Sequence, residues 1–265
     1  MLDFVNETVE LPLDFATGAA AAYSLRNLST SYSGNVVDVR RDSDDTEESF
    51  TAAEVADGSL ETWVGAGNNG YVTTWYDQSG NTNDATQATT TAQPKIVDAG
   101  ALVTGGLDFD GVDDSLGTNI FTSSSQPISK FAVGSFDSIT AATYFIDGSA
   151  DNRGVIGAAA AGTWRIFAGG TADDYSTSIS LATDYLTSGI FNGASTNLQV
   201  NGSNLGNKSV GTDGLDKVQI GSGNVGGGAF LDGKIAEVII YTTDQSANRV
   251  GIETNINNHY SIYAK

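Results

Sequence analysis

An all-β fold, a sandwich of two antiparallel sheets with short N-terminal helices and a C-terminal helix, is predicted by three observations. The 265 residues include 32 glycines against 3 prolines, with many Ser, Thr and Asn residues, a composition suited to short strands joined by tight turns. From residue 94 onward, β-branched and aromatic runs recur at short spacing. With 40% hydrophobic residues the chain can also bury a core.

The elements are expected in this order. Thr17 caps a helix over 19–31, with Ala22, Leu25, Leu28 and Tyr32 on one face. A strand follows over 36–41, then the acidic run 42–48, which has no apolar residue and reads as a solvated hairpin loop. Ser59 caps a second short helix carrying Leu60, Trp63 and Val64, stopped by Gly65 and Gly67. Residues 71–76 are aromatic and β-branched enough for a central strand. Further strands are expected at 95–97, 106–109, 128–135, 143–146, 154–158, 163–168, 185–192, 198–200, 217–220 and 233–241. Asn201-Gly202 fits a type I′ hairpin turn, whose two central residues need positive φ. Asp244 or Ser246 caps a closing helix with Ile252, Ile256 and Tyr260 at four-residue intervals. No long linker and no fixed-period repeat is present, so residues 18–265 are counted as one domain. Residues 1–17, with Phe4, Val5, Val9, Leu11, Leu13 and Phe15, form an extension that serves as an anchor or as an edge strand.

A formal charge of −20, from 32 acidic against 12 basic residues, argues against nucleic acid or an anionic membrane as partner, because phosphate neutralisation needs clustered Lys and Arg. The absence of cysteine removes disulfides and thiolate metal sites. No run of about 18 apolar residues and no basic-then-apolar leader is seen, so neither membrane insertion nor export by its own signal is expected. The single His259 leaves little for a Ser-His-Asp arrangement; in the closing helix it caps the last turn. The glycine-rich stretch 221–228 lacks a Lys-Ser or Lys-Thr ending and reads as a surface loop.

Three segments carry a resemblance. Thr73-Thr74-Trp75-Tyr76-Asp77-Gln78-Ser79-Gly80-Asn81-Thr82-Asn83-Asp84-Ala85-Thr86-Gln87 resembles the start of the α-L-arabinofuranosidase B catalytic domain. Leu107-Asp108-Phe109-Asp110-Gly111-Val112-Asp113-Asp114 resembles the opening of laminin-G-like, concanavalin A-like jelly rolls, and Phe230-Leu231-Asp232-Gly233-Lys234-Ile235-Ala236-Glu237-Val238-Ile239-Ile240-Tyr241 followed by a helix ending in His259-Tyr260-Ser261-Ile262 is similar to their end. Combined, they look like structural proteins of marine bacteriophages. That resemblance implies a concanavalin A-like jelly roll and a non-enzymatic virion surface protein, either a tail or fibre component recognising host surface glycan or a head decoration protein. The implied partners are other virion proteins and host glycan, with homo-oligomers on a particle assembled in the bacterial cytoplasm.

The alternative is an arabinofuranosidase-like glycoside hydrolase, for which the resemblance implies a retaining mechanism with two carboxyl groups about 5 Å apart. No catalytic residue is assigned. Glu237, flanked by apolar strand residues, reads as outward-facing or as half of a hydrogen-bonded pair. The arabinofuranosidase family's sugar pocket also uses a cystine that this chain cannot form.

Three sets of side chains remain as candidates. Trp164 with neighbouring Arg165 is either a carbohydrate platform or core. Asp110, Asp113 and Asp114 crowd around Gly111, as a calcium site or as a solvated turn; calcium is the one candidate cofactor. Asp77, Ser79, Asn81, Asn83 and Asp84 alternate as in a calcium loop, but Thr82 and Ala88 stand where such a loop needs Gly and Glu. These side chains are therefore expected to bond nearby backbone amides and hold an irregular turn.

Overall fold

The apolar run at Ile128–Ser138 becomes an eleven-residue strand whose first nine residues are all buried, because both of its faces are covered. On one face Ala132 and Phe136 enter the main core with Trp75, Leu107, Phe145 and Trp164. On the other, Phe131 and Val133 join Ala22, Ile239, Tyr241, Ile252 and Ile256 beneath the C-terminal helix. The computed structural model describes residues 10–223 and 228–264. The anchoring role expected of Phe4, Val5 and Val9 lies outside the described residues.

In chain order the strands are β1 (Ala21–Ser24), β2 (Asn35–Arg41), β3 (Glu47–Thr51), β4 (Gly70–Trp75), β5 (Ala85–Thr86), β6 (Lys95–Asp98), β7 (Ala101–Leu102), β8 (Leu107–Asp110), β9 (Leu116–Gly117) and β10 (Ile128–Ser138). They continue as β11 (Thr143–Asp147), β12 (Val155–Ala159), β13 (Thr163–Phe167), β14 (Asp173–Ser178), β15 (Tyr185–Phe191), β16 (Thr196–Val200), β17 (Ser203–Lys208), β18 (Gln219–Ile220) and β19 (Asp232–Tyr241). The helices are α1 (Pro12–Phe15), α2 (Ala52–Ala56), α3 (Ser59–Val64) and α4 (Arg249–Tyr260). All strand pairings are antiparallel among the described residues. One layer runs β1-β19-β10-β15-β16-β17. The other runs β3-β2-β4-β5-β9-β18-β11-β12-β13-β14. Strands β6 and β8 join the layers by linking β4 to β19. The all-β sandwich expected from composition is the fold observed.

The helix expected over 19–31 is not formed. Four alanines favour helix locally, yet this segment supplies β1, pairing Ala21 with Ile240 and Ser24 with Glu237. Its alternation decides the outcome: Ala21 and Tyr23 face the main core while Ala22 faces the α4 side, so pairing buries both faces. The second helix stands at Ser59–Val64, but its cap residue is Gly58 in the left-handed region, one position earlier than expected. Helix α4 is capped by Asn248 rather than Asp244 or Ser246. Instead, the Asp244 carboxylate accepts from the Ser246 amide at 2.8 Å in the turn before it. Among the described residues no helix is long and apolar enough to cross a membrane.

Candidate active-site cleft

Along β8 the period of two sends Leu107 and Phe109 into the core and leaves Asp108 and Asp110 on the opposite side. Gly111 then turns the chain with φ +76°, where a β-carbon would come within 2.7 Å of the Asp232 side chain. The reversal carries Asp114 back beneath the turn, 6% exposed. Asp108, Asp110 and Asp114 thereby line a cleft of about 580 Å³. One carboxylate oxygen from each of Asp110, Asp113 and Asp114 lies within 4.8 Å of the other two.

Asp114 differs from its neighbours in environment. Burial pushes its carboxyl up to about 7, with the adjacent Asp110 charge adding to the shift, while the Asp110 backbone amide, donating to Asp114 Oδ2 at 3.1 Å, opposes it. Asp110 is exposed, and its Oδ1 accepts from the Val112 amide at 2.8 Å. Burial also raises Asp108 above the usual carboxylate range, although Lys234 lies 3.6 Å away and pulls it down. A buried acid beside an exposed carboxylate is an arrangement that separates a proton donor from a nucleophile.

The far wall is built by strand register. β2 sets Arg40 opposite Tyr71 of β4, and the guanidinium lies 5.1 Å from the centre of the Tyr71 ring. Arg40 is nearly buried and fixed: Nε donates to Gln93 Oε1 at 2.9 Å, Nη1 to Asp45 Oδ1 at 2.8 Å and Nη2 to the Thr90 carbonyl at 3.2 Å. Lys95 also lines the cleft, its ammonium paired with Asp98 at 2.8 Å. Sequence reasoning missed Arg40, Tyr71, Gln93 and Lys95, since only the pairing of β2, β4 and β6 brings them together. The alternation on β8 is the one signal that places Asp108 and Asp110 on a common face.

The other candidates lie elsewhere. Trp164 is fully buried, with ring centres 5.0 Å from Tyr185 and 5.7 Å from Phe136, so it has no face open to a sugar and the platform reading is corrected to core. Arg165 is committed to Asp174 through two hydrogen bonds of 2.7 and 2.9 Å. The Asp77 loop is a clamp on β1. Asp77 Oδ1 accepts from the amides of Ala22 (2.9 Å) and Ser79 (2.8 Å), and Oδ2 accepts from the Asn83 amide at 3.0 Å. Asp84 Oδ1 accepts from the Asp77 amide at 2.9 Å, and Asn81 and Asn83 each donate at 2.8 Å to the carbonyls of Ala19 and Ala20. Glu237 is 1% exposed and paired with Arg26. His259 sits exposed in the last turn of α4.

Residues 14–106 match the family model described as alpha-L-arabinofuranosidase B, catalytic. Among solved structures, a GH54 α-L-arabinofuranosidase soaked with a cyclic sulfate inhibitor is similar at TM-score 0.67 and 18% identity, covering 92% of this chain and 64% of that one. A mutant GH54 α-L-arabinofuranosidase soaked with 4-nitrophenyl α-L-arabinofuranoside is similar at TM-score 0.69, with the same identity and coverage. A Trypanosoma rangeli sialidase in complex with sialic acid follows at TM-score 0.52 and 15% identity, covering 73% of this chain and 32% of that one. No curated protein matches the chain. The chain spans 64% of the length of the GH54 structures, and at these identities the likeness is one of fold. The match of residues 14–106 to a catalytic family model corrects the expectation of a non-enzymatic virion surface protein, tail fibre or capsid decoration protein and favours the glycoside hydrolase alternative instead.

Proposed function

We propose that this chain is an arabinofuranosidase-like glycoside hydrolase whose reaction takes place in the Asp114 cleft. The observation that carries the reading is a buried carboxyl, its pKa pushed up to about 7 by burial, within 4.8 Å of the exposed Asp110 carboxylate. In this reading Asp114 protonates the leaving glycosidic oxygen and Asp110 attacks the anomeric carbon. A separation this short leaves no room for a water between the two groups and matches the retaining outcome better than the inverting one. Tyr71 offers an aromatic wall and the pinned Arg40 a fixed donor array to the sugar. With five aspartates against two cations in its lining, the cleft disfavours anionic sugars, so a polysaccharide built from neutral sugars is the proposed substrate.

The test is sugar release from 4-nitrophenyl α-L-arabinofuranoside and from a panel of neutral polysaccharides. Release that is lost in both Asp110→Asn and Asp114→Asn is expected. No release from any member of the panel, by protein of confirmed fold, would overturn the reading.

The same three carboxylates support a second reading as a calcium site, since their oxygens converge within 4.8 Å. Calcium would displace the Asp114 proton, so binding at pH 6 is expected to release protons and to raise the melting temperature by several degrees. A melting curve that is the same in calcium and in EDTA would remove the ion from the account.

A further inference from the structure

A second groove, of about 680 Å³, shares no lining residue with the Asp114 cleft. It opens where the edge of β19 passes from one partner to another: β1 pairs as far as Glu237, β8 takes over at Ile235, and Ala236 lies between them. Gly106 permits this handover, because a β-carbon there would sit 2.3 Å from the Ile235 carbonyl oxygen. Leu25, Val55, Leu102 and Val103 give the groove aliphatic walls.

One acceptor atom in those walls has no donor among the described residues. Glu61, on α3, lines the groove, and its Oε2 is buried with no hydrogen-bond partner among the described residues. A buried acceptor without a donor is unfavourable and calls for a partner. Arg26 gives it no bond; its Nε and Nη2 are held by the Glu237 oxygens and by Asn255 Oδ1. Partial desolvation of the exposed ring, and then the Arg26 charge, hold the His259 pKa below its ordinary value, so it adds no cation at pH 7.

From this geometry we propose that the groove binds an organic ammonium ion, its N–H groups donating to Glu61 and its hydrocarbon body lying against Leu25, Val55, Leu102 and Val103. Other classes of ligand fit less well. A hard inorganic cation needs six or more oxygen ligands, and the lining holds a single carboxylate. An anion would meet the Glu61 charge. A free sugar would have to bury its hydroxyls against aliphatic walls. The overall charge of −20 further enriches cations near the surface.

The experiment titrates the full chain with benzylammonium and with its neutral counterpart, benzyl alcohol, at pH 7, following NMR shifts of the groove residues. Saturable binding of the ammonium, about tenfold tighter than the alcohol, is expected from one charge-assisted hydrogen bond. Glu61→Gln should erase that preference and leave the alcohol affinity unchanged. Ala56→Trp, at an exposed position on α2 that lines the groove, should weaken both probes without lowering the melting temperature. Equal affinities for the two probes, a preference that survives Glu61→Gln, or no saturable binding would each overturn the proposal. Sugar release plays no part in this readout, so its failure leaves the Asp114 reading untouched.

Discussion

Asp114→Asn will melt at a higher temperature than the unmodified protein at pH 8, and it will release no sugar. Both effects come from the same burial. The Asp114 carboxyl titrates near 7 in the folded chain, against about 3.9 when unfolded. Below pH 4 both states hold the proton and the group leaves stability unchanged with pH. Between pH 4 and 7 the folded state holds a proton that the unfolded state has lost, so stability falls as pH rises and is fully reduced above 7. At about 1.4 kcal/mol per unit, the penalty at pH 8 reaches at most about 4 kcal/mol. Asparagine keeps the shape, never ionises and still accepts from the Asp110 amide, so it removes that penalty. The advantage of the variant should shrink to nothing near pH 4, and denaturant titrations at pH 4, 6 and 8 would follow it.

The catalytic half of this expectation has its own signature. A general acid must carry its proton in the free enzyme, so kcat/KM should fall as pH rises through 7, and losing the acid should cost about 10² to 10⁴ in rate. A group that is unfavourable for folding and indispensable for turnover is characteristic of a functional site. An Asp114→Asn protein that is no more stable at pH 8 would show that Asp114 ionises normally, and the acid assignment would fail with it.

What the sequence revealed follows from where each signal resides. Strands β2, β4, β10 and β19 were legible because their apolar residues recur within one element, and Ile252 and Ile256 identify α4 in the same way. β5, β7 and β9 have two residues each and carry no readable period. The alanines of β1 point to helix, and only the open edge of β19 explains why they form a strand. Helix α2 was missed although Thr51 and Glu54 announce it, and they form a reciprocal capping box in the structure. In the cleft, the aspartates were visible as neighbours in sequence. Their opposite wall was not, because Arg40, Tyr71 and Lys95 come from three strands whose register is a property of the sheet. Trp164 faces the core for the same reason: one residue of register decides which side of β13 it occupies.

Glu237→Gln should lower stability by about 3 kcal/mol, near 10 °C in a domain of this size, and should leave any sugar release intact below its melting range. The residue stands inside a closed network. Glu237 Oε2 accepts from Arg26 Nε at 2.8 Å, from Ser24 Oγ at 3.1 Å and from the Tyr260 hydroxyl at 3.1 Å, while Oε1 accepts from Arg26 Nη2 at 3.0 Å. These bonds tie β1 and the end of α4 to β19 and hold the carboxylate in a buried ion pair, away from any substrate. The amide cannot satisfy both arginine nitrogens, and it leaves a largely buried guanidinium unpaired; that defect, rather than the worth of the ion pair, sets the size of the loss. Arg26→Met combined with Glu237→Leu removes both charges and should therefore recover most of the stability lost by either single variant. The double-mutant cycle measures this as a coupling of at least 1 kcal/mol, whereas additive losses would mean that the two groups act independently. Sugar release abolished by Glu237→Gln in a protein that still melts cooperatively would instead move the chemistry from the Asp114 cleft to this buried pair.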